Sequence, residues 1–493
     1  MNITAERAQR ARLGAATGAF ALLSVAGCAS VQSDARFPEV RQSVGQRLES
    51  NIAWNRDSEQ DQRARDAVRR LLTQELTADA AVQIALLNNR KLQANYERLG
   101  IAQADLVEAG LLENPVFSYT WYTGNAGTIT EASILQDFVS VVSLSARKKV
   151  GEAAAQRTTL EVANNVVDLA RQVQAQYFTV VGDAQALELA RQVVTATEAA
   201  AELAQRQRAA GNLSQRDQSL QQAFYAQTLL ELAQAEAQLA SDRERLNRLM
   251  GAWGEDTNWK IPSRLPAVAN TLPPLEQVEA QAVSQRLDLA AAKKEADVAA
   301  QALNLTRQFR YLGPFGIGVA YKREPSGDRF VGPTVELGLP IFNQHQAAVA
   351  RAEAELKRSQ ERVAALAIDI RSEAREARAR VAAAQEVVRH YRDVMLPLQQ
   401  SIVSETLKFY NGMLVGVYDL LLAKQAQVQT ARQYVSATKE FWLAWTELEL
   451  ALGGKVALPS ASEADGRRAS SMAPASADIE PAISPHRHGD EPS

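Results

Sequence analysis

The chain has 493 residues, a formal net charge of -3, and only 16 Pro and 25 Gly. It is crowded with Ala, Gln, Glu, Arg and Leu, a mixture that favours long helices and coiled coils over compact α/β cores. The near-neutral charge argues against a nucleic-acid partner, because phosphate binding needs a concentrated positive field. The basic run from Arg63 to Arg70 alternates with Asp66 and Ala67 and contains no aromatic residue, so we interpret it as a solvated helix face.

The N-terminus has the pattern of a secretory signal peptide. Three arginines precede the apolar run from Leu13 to Gly27, which is about 15 residues long, whereas a membrane-spanning helix needs roughly 20. The small residues Ala26 and Gly27 stand directly before Cys28, which resembles a bacterial lipobox. We therefore expect residues 1–27 to be removed and Cys28 to become an acylated N-terminus. The alternative is an ordinary signal peptide with an incidental cysteine.

Cys28 is the only cysteine, so a disulfide within one subunit is impossible. Several acyl chains on one residue would anchor the protein stably, since a single chain binds a membrane only marginally. No Asp lies beside Cys28. The resemblance to bacterial lipoproteins therefore favours the outer membrane, and this covalent lipid is the only non-protein group that we expect.

The rest of the chain is a duplication. After a polar leader (28–75) with a helical stretch near 57–74, residues 76–251 predict a helix, a β-hairpin (about 116–145), a very long helix (about 147–210), a short loop and a helix. A linker (252–271) leads to residues 272–453, which repeat this order with a hairpin at about 315–341 and a long helix at about 344–410. Leu76, Val82, Arg90 and Ala94 reappear as Leu272, Val278, Arg286 and Ala290, and Gly211-Asn212-Leu213 is echoed by Gly412-Met413-Leu414. Residues 454–493 lack an apolar period and predict a disordered tail.

The two hairpins differ in clarity. In the first, Phe117, Tyr119 and Trp121 alternate with small polar residues, but the return strand near 133–143 alternates poorly. The second alternates cleanly: its apolar side contains Phe315, Ile317, Val319 and Tyr321, then Val331, Val335, Leu337, Leu339 and Ile341. A half-buried strand of a soluble sandwich would produce the same pattern.

The long helices are about 95 to 100 Å at 1.5 Å per residue, far more than a globular domain requires. Apolar and small residues in the second helix step mostly by three, four or seven, as in a coiled-coil seam. They are Val349, Ala352, Leu356, Val363, Leu366, Ile370, Ala377, Val381, Ala384, Val388, Tyr391, Met395, Leu398 and Ile402.

A lipoprotein with two hairpins and no apolar helix of membrane length leaves its strands in water or places them in the outer membrane. Strands span lipid only as a closed barrel, and about eight are the practical minimum. Four strands per chain are too few, so copies must pool them, and three copies would supply twelve. Phe117, Trp121, Tyr122, Phe315 and Tyr321 suit a lipid face, and the Gly and Ser positions suit a lumen. The helices would then project as a tube.

The order of elements, the duplication and the segments LLENP (111–115) and LPIFNQ (339–344) resemble the TolC family of outer-membrane efflux channels, above all its heavy-metal branch typified by CzcC and CusC. The resemblance covers about residues 70 to 453. It implies a mainly α-helical fold with membrane β-structure: a homotrimer with a 12-stranded barrel continuous with a coiled-coil tunnel. It also implies docking onto a periplasmic membrane-fusion adaptor and an inner-membrane pump of the resistance-nodulation-division (RND) type.

No catalytic constellation is apparent, so we do not predict an enzyme. The four histidines, His345, His390, His486 and His488, form no ligand cluster with carboxylates or thiols at helical spacing, and we predict no metal site. We interpret His486 and His488 as part of a solvated tail. Passive conduction requires no active site.

The turns farthest from the hairpins are the candidate contact sites. In the first, Gly211 suits a helix C-cap, Ser214 and Asp217 suit a capping box, and Leu213 is left apolar. In the second, Gly412 caps and Leu414 is the apolar counterpart. Val415 and Gly416 replace the capping Ser or Thr, which predicts a looser turn. Helix capping alone explains these residues, and the resemblance adds that adaptor hairpins pack between such tips.

Asp419 matches a position where the family places an inward-facing acidic residue at the closed end of the tunnel. Three copies would ring the axis and favour cation binding or iris opening. Leu422 stands where a second acidic residue often follows. The alternative for Asp419 is a carboxylate stabilised by a helix N-terminus.

These predictions lead to an outer-membrane exit duct, with metal ions as the expected cargo and organic drugs as the second choice. A lipid-anchored structural coiled coil of the envelope is the alternative from a different class of protein.

Overall fold

The computed structural model describes residues 31–56 and 59–456. The predicted signal peptide, Cys28, the tail histidines and nearly all of the predicted disordered tail lie outside the described residues.

The described chain is mainly helical. In chain order its helices are α1 (Phe37–Leu48), α2 (Glu59–Thr73), α3 (Ala78–Asn88), α4 (Arg90–Ala109), α5 (Phe138–Ala209), α6 (Gln215–Met250), α7 (Val278–Gln285), α8 (Leu287–Phe309), α9 (Gln346–His390), α10 (Leu396–Asn411) and α11 (Val417–Leu452). The strands are β1 (Val116–Gly124), β2 (Gly127–Asp137), β3 (Phe315–Arg323) and β4 (Arg329–Leu337). A short 3₁₀ turn (Gly254–Thr257) lies between the two halves.

The first hairpin ends earlier than predicted, and the long helix begins earlier. The return strand, predicted near 133–143, spans Gly127–Asp137. The following helix α5 runs for 72 residues from Phe138, about 108 Å at 1.5 Å per residue. The reason is a helix cap, since the Asp137 carboxylate accepts the backbone N–H groups of Val139 and Ser140 at 3.1 and 2.9 Å. None of the helices in the described ranges is apolar enough over a sufficient length to cross a membrane.

The second long helix is interrupted. β4 ends at Leu337, not near 341, and an irregular segment precedes α9. A single π-helical turn, Tyr391–Met395, separates α9 from α10. Pro397 follows two residues after this turn, and its ring and missing N–H disfavour a regular α-helix over the preceding turn. No such turn breaks α5, so the two halves differ here.

The four strands form one antiparallel sheet in the order β1-β2-β3-β4. The two hairpins join through β2 and β3, with Ile134 opposite Val319 and Ala132 opposite Tyr321. β1 and β4 are the edges of this sheet in the described chain. The duplicated halves therefore contribute equally to one open sheet.

The predicted polar leader is part of the hydrophobic core. Phe37, Trp54 and Tyr96 form an aromatic cluster with ring centroids 5.2 to 6.2 Å apart, and α1 buries Val40 and Val44 completely. The leader is polar in composition, but most of its large apolar residues pack inward against the helices of the first half. The predicted linker is likewise packed: Trp259 is buried, and the Arg243 guanidinium lies 3.8 Å from its ring centroid.

The predicted seam of the second long helix is buried only in part. Val349, Ile370, Val381 and Val388 are buried against neighbouring helices of the same chain. Leu398 and Ile402, at the end of the seam, remain exposed. The first half of α10 thus has exposed apolar side chains that no other part of the described chain covers.

The last helix of each half ends at a glycine in the equivalent position. Gly251 ends α6 with φ +70°, and the Asn88 side-chain amide donates to its carbonyl at 2.8 Å. Gly453 ends α11 with φ +76°. A Cβ on Gly251 would lie 2.8 Å from the Asn88 carbonyl oxygen, and one on Gly453 would lie 3.1 Å from the Arg286 nitrogen.

We expect Gly251→Ala to lower the free energy of unfolding by at least about 1–2 kcal/mol, the cost of a left-handed backbone for a residue with a Cβ. Chemical denaturation in detergent measures this change. Gly45→Ala in α1 is the control: a Cβ there meets nothing within 4 Å, and Ala favours a helix by about 1 kcal/mol over Gly. Equal stability of Gly251→Ala and the wild type would contradict this role of the glycine.

Candidate functional site

The two turns at the far ends of the long helices have the same backbone hydrogen bonds. In the first, the N–H groups of Gly211 and Asn212 donate to Arg208 and Gln207 at 3.0 and 2.8 Å. In the second, Met413 and Leu414 donate to Tyr410 and Phe409, both at 2.9 Å. Each pattern is a Schellman-type helix end with one left-handed residue.

The sequence-based alignment of these turns is wrong by one residue. The left-handed residue is Gly211 (φ +76°) in the first turn but Met413 (φ +58°) in the second, and Gly412 has an ordinary φ of -79°. Leu213 is therefore equivalent to Val415, not Leu414. Gly412 predicted the turn in the sequence, but the residue with the left-handed backbone is the next one, Met413. Counting back from the acidic residue of each following helix would have given the correct pairing.

This shift changes which apolar side chains are presented. Leu213 and Val415 are both half-buried. Met413 is 94 % exposed and Leu414 is 72 % exposed. The second tip is thus the more apolar of the two, and Met413 is a contact candidate that the sequence prediction missed.

The helix that follows each tip has an acidic residue three positions after its N-cap. Ser214 accepts the Asp217 N–H at 3.1 Å and donates its hydroxyl to the Asp217 carboxylate at 2.7 Å. In the second tip, Gly416 has no side chain, and the Asp419 carboxylate instead accepts the Gly416 N–H at 2.9 Å. Asp419 is therefore the structural equivalent of Asp217. Its exposed carboxylate stabilises the start of α11 whether or not it also forms a gate.

A side-chain contact joins the two tips. The Tyr418 hydroxyl donates to the Gln207 amide oxygen at 2.9 Å, linking α11 to the end of α5. Partial burial, together with the negative charge of Asp217, raises the pKa of Tyr418, so this hydroxyl keeps its proton at neutral pH. No sequence signal identified this contact, since the two residues are far apart in the chain.

The sheet has two chemically different faces, as the alternation predicted. One face is apolar and largely exposed: it contains Phe117, Trp121, Ile134, Ile317, Val319, Val331 and Val335, all exposed, and the half-buried Tyr321. The other presents mostly small or polar side chains, and on it Lys322 lies 3.7 Å from Glu131. The register places Tyr122 on this second face, opposite Ile129, which corrects its assignment to the apolar face.

No cluster of metal-ligating side chains is present in the part of the chain that the structure describes. Within residues 31–56 and 59–456, no three His, Cys, Asp or Glu side chains lie together as a ligand set. His345 is at the start of α9, where its Nδ1 lies 2.9 Å from the Arg310 carbonyl oxygen, so it has a structural partner.

Sequence comparison finds a curated relative that matches most of the chain. The cobalt-zinc-cadmium resistance protein CzcC of Cupriavidus metallidurans is 24 % identical over 391 residues, covering 77 % of this chain and 90 % of the relative. A comparison with models of protein families finds no match.

Solved structures share the fold. CusC, described as forming a transmembrane channel, matches with a TM-score of 0.62 and 17 % identity, over 79 % of this chain and 92 % of its own. The outer membrane protein VceC of Vibrio cholerae matches with a TM-score of 0.61 and 16 % identity, over 76 % and 96 %. The chain resembles the TolC-family outer-membrane efflux channels in sequence and fold.

This similarity confirms the predicted resemblance to the TolC family and agrees with a location in the outer membrane. The assignment of particular tip residues to contacts or to a gate stays a prediction.

Proposed function

We propose that three copies of this chain form an outer-membrane exit duct, with a 12-stranded barrel continuous with an α-helical periplasmic tunnel. The observation that carries the proposal is the open four-stranded sheet with one exposed apolar face. In lipid every backbone N–H and C=O needs a partner, and four strands are too few to close a barrel. Pairing β4 of one copy with β1 of the next would remove both edges.

The duct would serve a tripartite efflux system with a periplasmic membrane-fusion adaptor and an inner-membrane RND pump. The apolar tip residues Leu213, Met413 and Leu414 would contact the adaptor, and a lipid on Cys28 would hold each chain at the outer membrane. Conduction through such a duct is passive, so the protein is not an enzyme and needs no cofactor beyond this lipid.

Heavy-metal cations are the proposed cargo. The support is the similarity to a cobalt-zinc-cadmium resistance protein over most of both chains. Deleting the gene and measuring tolerance to a panel of metals and organic drugs tests this choice. Lost tolerance to drugs alone would assign the duct to organic compounds.

Purified protein in mild detergent tests the duct itself. We expect trimers that resist heating and ion conductance in planar bilayers. A monomer without conductance, with its hairpins accessible to water, would instead favour a structural coiled coil of the envelope.

Asp419 allows a matched test of the proposed gate. We expect Asp419→Asn to raise single-channel conductance or to remove cation block, because it deletes three charges around the axis while keeping an oxygen that accepts the Gly416 N–H. Asp217→Asn is the control, since it is the equivalent position on the other tip. Electrophysiology of both variants is the measurement, and unchanged conductance in Asp419→Asn would leave only the capping role.

A further inference from the structure

Two arginines lie on the apolar side of the sheet, next to the turn of the second hairpin. The register places Trp121, Thr130, Arg323 and Arg329 in one row across the four strands, on the side that carries the apolar face. Arg323 is directly opposite Arg329, and both are exposed. Neither arginine forms an ion pair or a side-chain hydrogen bond within the described part of the chain. Like charges directly opposite each other destabilise a sheet, so an anion between them would stabilise the hairpin.

The second hairpin does not supply this anion. Glu324 and Asp328 are the only acidic residues from 315 to 335. Glu324 lies 3.7 Å from Lys322, which belongs to the opposite, polar face of the sheet. The Asp328 carboxylate accepts the Ser326 hydroxyl at 2.7 Å. Both carboxylates near the two arginines are therefore engaged elsewhere.

A neighbouring copy offers no carboxylate either. In the proposed barrel, β4 of one copy pairs with β1 of the next, which would bring the first hairpin beside Arg329. Residues 116–126, which form β1 and its turn, include no acidic residue. Glu131 of β2 lies on the polar face, 3.7 Å from Lys322. An anion for the arginine pair would therefore come from outside the protein.

The arginine pair lies just beyond one end of the apolar face. On β3 the apolar residues extend from Phe315 to Tyr321, about 20 Å at 3.4 Å per residue, and Arg323 is about 7 Å farther along the strand. The apolar band of an outer-membrane barrel is about 25 Å tall and is bounded by aromatic residues. Tyr119 and Trp121, with ring centroids 5.9 Å apart, are such residues on β1. In a membrane-spanning sheet the arginines would therefore be level with lipid headgroups.

We infer that Arg323 and Arg329 together bind a phosphate of lipopolysaccharide, the phosphorylated glycolipid of the outer leaflet. This inference rests on the proposed function, because the hairpin turns face outward only if the helices are periplasmic. A guanidinium group can donate two parallel hydrogen bonds to phosphate oxygens. A phosphate held between the two guanidinium groups would also offset their mutual repulsion. A trimer would carry three such sites around its barrel.

Native mass spectrometry of the detergent-solubilised protein tests the inference. The probe is lipid A, the phosphorylated part of lipopolysaccharide, compared with lipid A from which both phosphates have been removed enzymatically. We expect Arg323→Gln with Arg329→Gln to weaken lipid A binding at least about tenfold, since a hydrogen bond to a charged group contributes about that factor. Dephosphorylated lipid A should bind the wild type as weakly as lipid A binds this double variant.

A second double variant is the matched control. Arg371→Gln with Arg378→Gln also removes two exposed arginines, but from the middle of α9 and away from the sheet. It should bind lipid A like the wild type. Equal affinity of the two double variants for lipid A would overturn the inference. Complete displacement of lipid A by millimolar inorganic phosphate would also overturn it, since the arginines would then bind a free ion and not a lipid.

Trimer formation and conductance separate this inference from the proposed function. If the wild type forms heat-resistant trimers that conduct ions but does not distinguish lipid A from its dephosphorylated form, the phosphate site is overturned and the duct is not. If the wild type forms neither trimers nor pores, the proposed function fails and the inference fails with it.

Discussion

Replacing Arg171 with Met is expected to lower the free energy of unfolding by about 3–5 kcal/mol. Arg171 of α5 forms an ion pair with Glu449 of α11, and only 3 % and 5 % of their side chains are exposed. The substitution leaves the Glu449 carboxylate buried and without its cation. Its remaining hydrogen bonds come from neutral groups, the Val456 N–H at 3.1 Å and the Gln174 side chain, and they do not neutralise the charge. Lys455, the other nearby cation, is paired with Asp79 at 2.9 Å. Chemical denaturation of the detergent-solubilised protein measures the loss.

An exposed pair provides the control. Arg191 of α5 lies 3.4 Å from Glu236 of α6, with about half of each side chain exposed. Arg191→Met should therefore cost less than about 1 kcal/mol. The double variant Arg171→Met with Glu449→Leu should recover most of the lost stability, because no buried charge remains. A double variant as unstable as Arg171→Met would show that the loss comes from packing.

The Arg171→Met deficit should also depend on pH. Burial raises the pKa of Glu449 in the folded protein, while the charge of Arg171 lowers it, so removing Arg171 raises this pKa further. A folded-state pKa above the unfolded value means that the folded protein binds the proton more tightly. Stability is therefore lost as the pH rises through the folded pKa, so the deficit should shrink as the pH is lowered from neutral toward the pKa of a glutamate in the unfolded chain, about 4.3. A deficit independent of pH would contradict a buried carboxylate as its cause.

Replacing Val319 with Lys is expected to prevent assembly of the proposed membrane barrel. Val319 lies at the centre of β3 on the apolar face, between Ile134 and Pro333. A lysine at the middle of a lipid-facing strand costs about 2–4 kcal/mol per chain, and a trimer would contain three. The measurement is the fraction of protein that forms heat-resistant trimers in the outer-membrane fraction.

The neighbouring residue is a matched control. Ala320 lies on the opposite face, between Ser133 and Gly332. Ala320→Lys would place its ammonium group in a water-filled lumen, so trimers should form and only cation conductance should fall. Assembly of Val319→Lys together with failure of Ala320→Lys would mean that the two faces are reversed.

Local patterns predicted the elements well but not their ends. The alternation in the second hairpin correctly placed Val331 and Val335 on one face, because side-chain direction in a strand has a period of two. The first hairpin was assigned too long because Asp137 can either continue a strand or cap a helix. Its carboxylate bonds to Val139 and Ser140 decided the matter, and no pattern in the neighbouring residues distinguished the two outcomes.

At the second tip, too, the sequence predicted the turn but not which residue adopts the left-handed conformation. The glycine at 412 predicted the turn itself, since glycine is the usual residue for a left-handed position. The structure places that conformation on Met413, and the exposed apolar surface of the tip moves with it. The equivalence of Asp217 and Asp419 appears only when the two helix starts are compared.

Patterns of short period reveal the amphipathic strands and the great length of the helices. Comparison of one half of the sequence with the other reveals the duplication. The amino-acid order is therefore sufficient for all three. The joining of both hairpins through β2 and β3, the burial of the leader and the Arg171–Glu449 pair depend on residues between about 40 and 280 positions apart in the chain. The packing of whole helices and strands determines which of these distant residues meet. It therefore also determines which groups each buried charge or ring contacts. Local patterns in the sequence therefore predicted the elements of the fold. The internal contacts could not be predicted, because they join residues that are far apart in the chain.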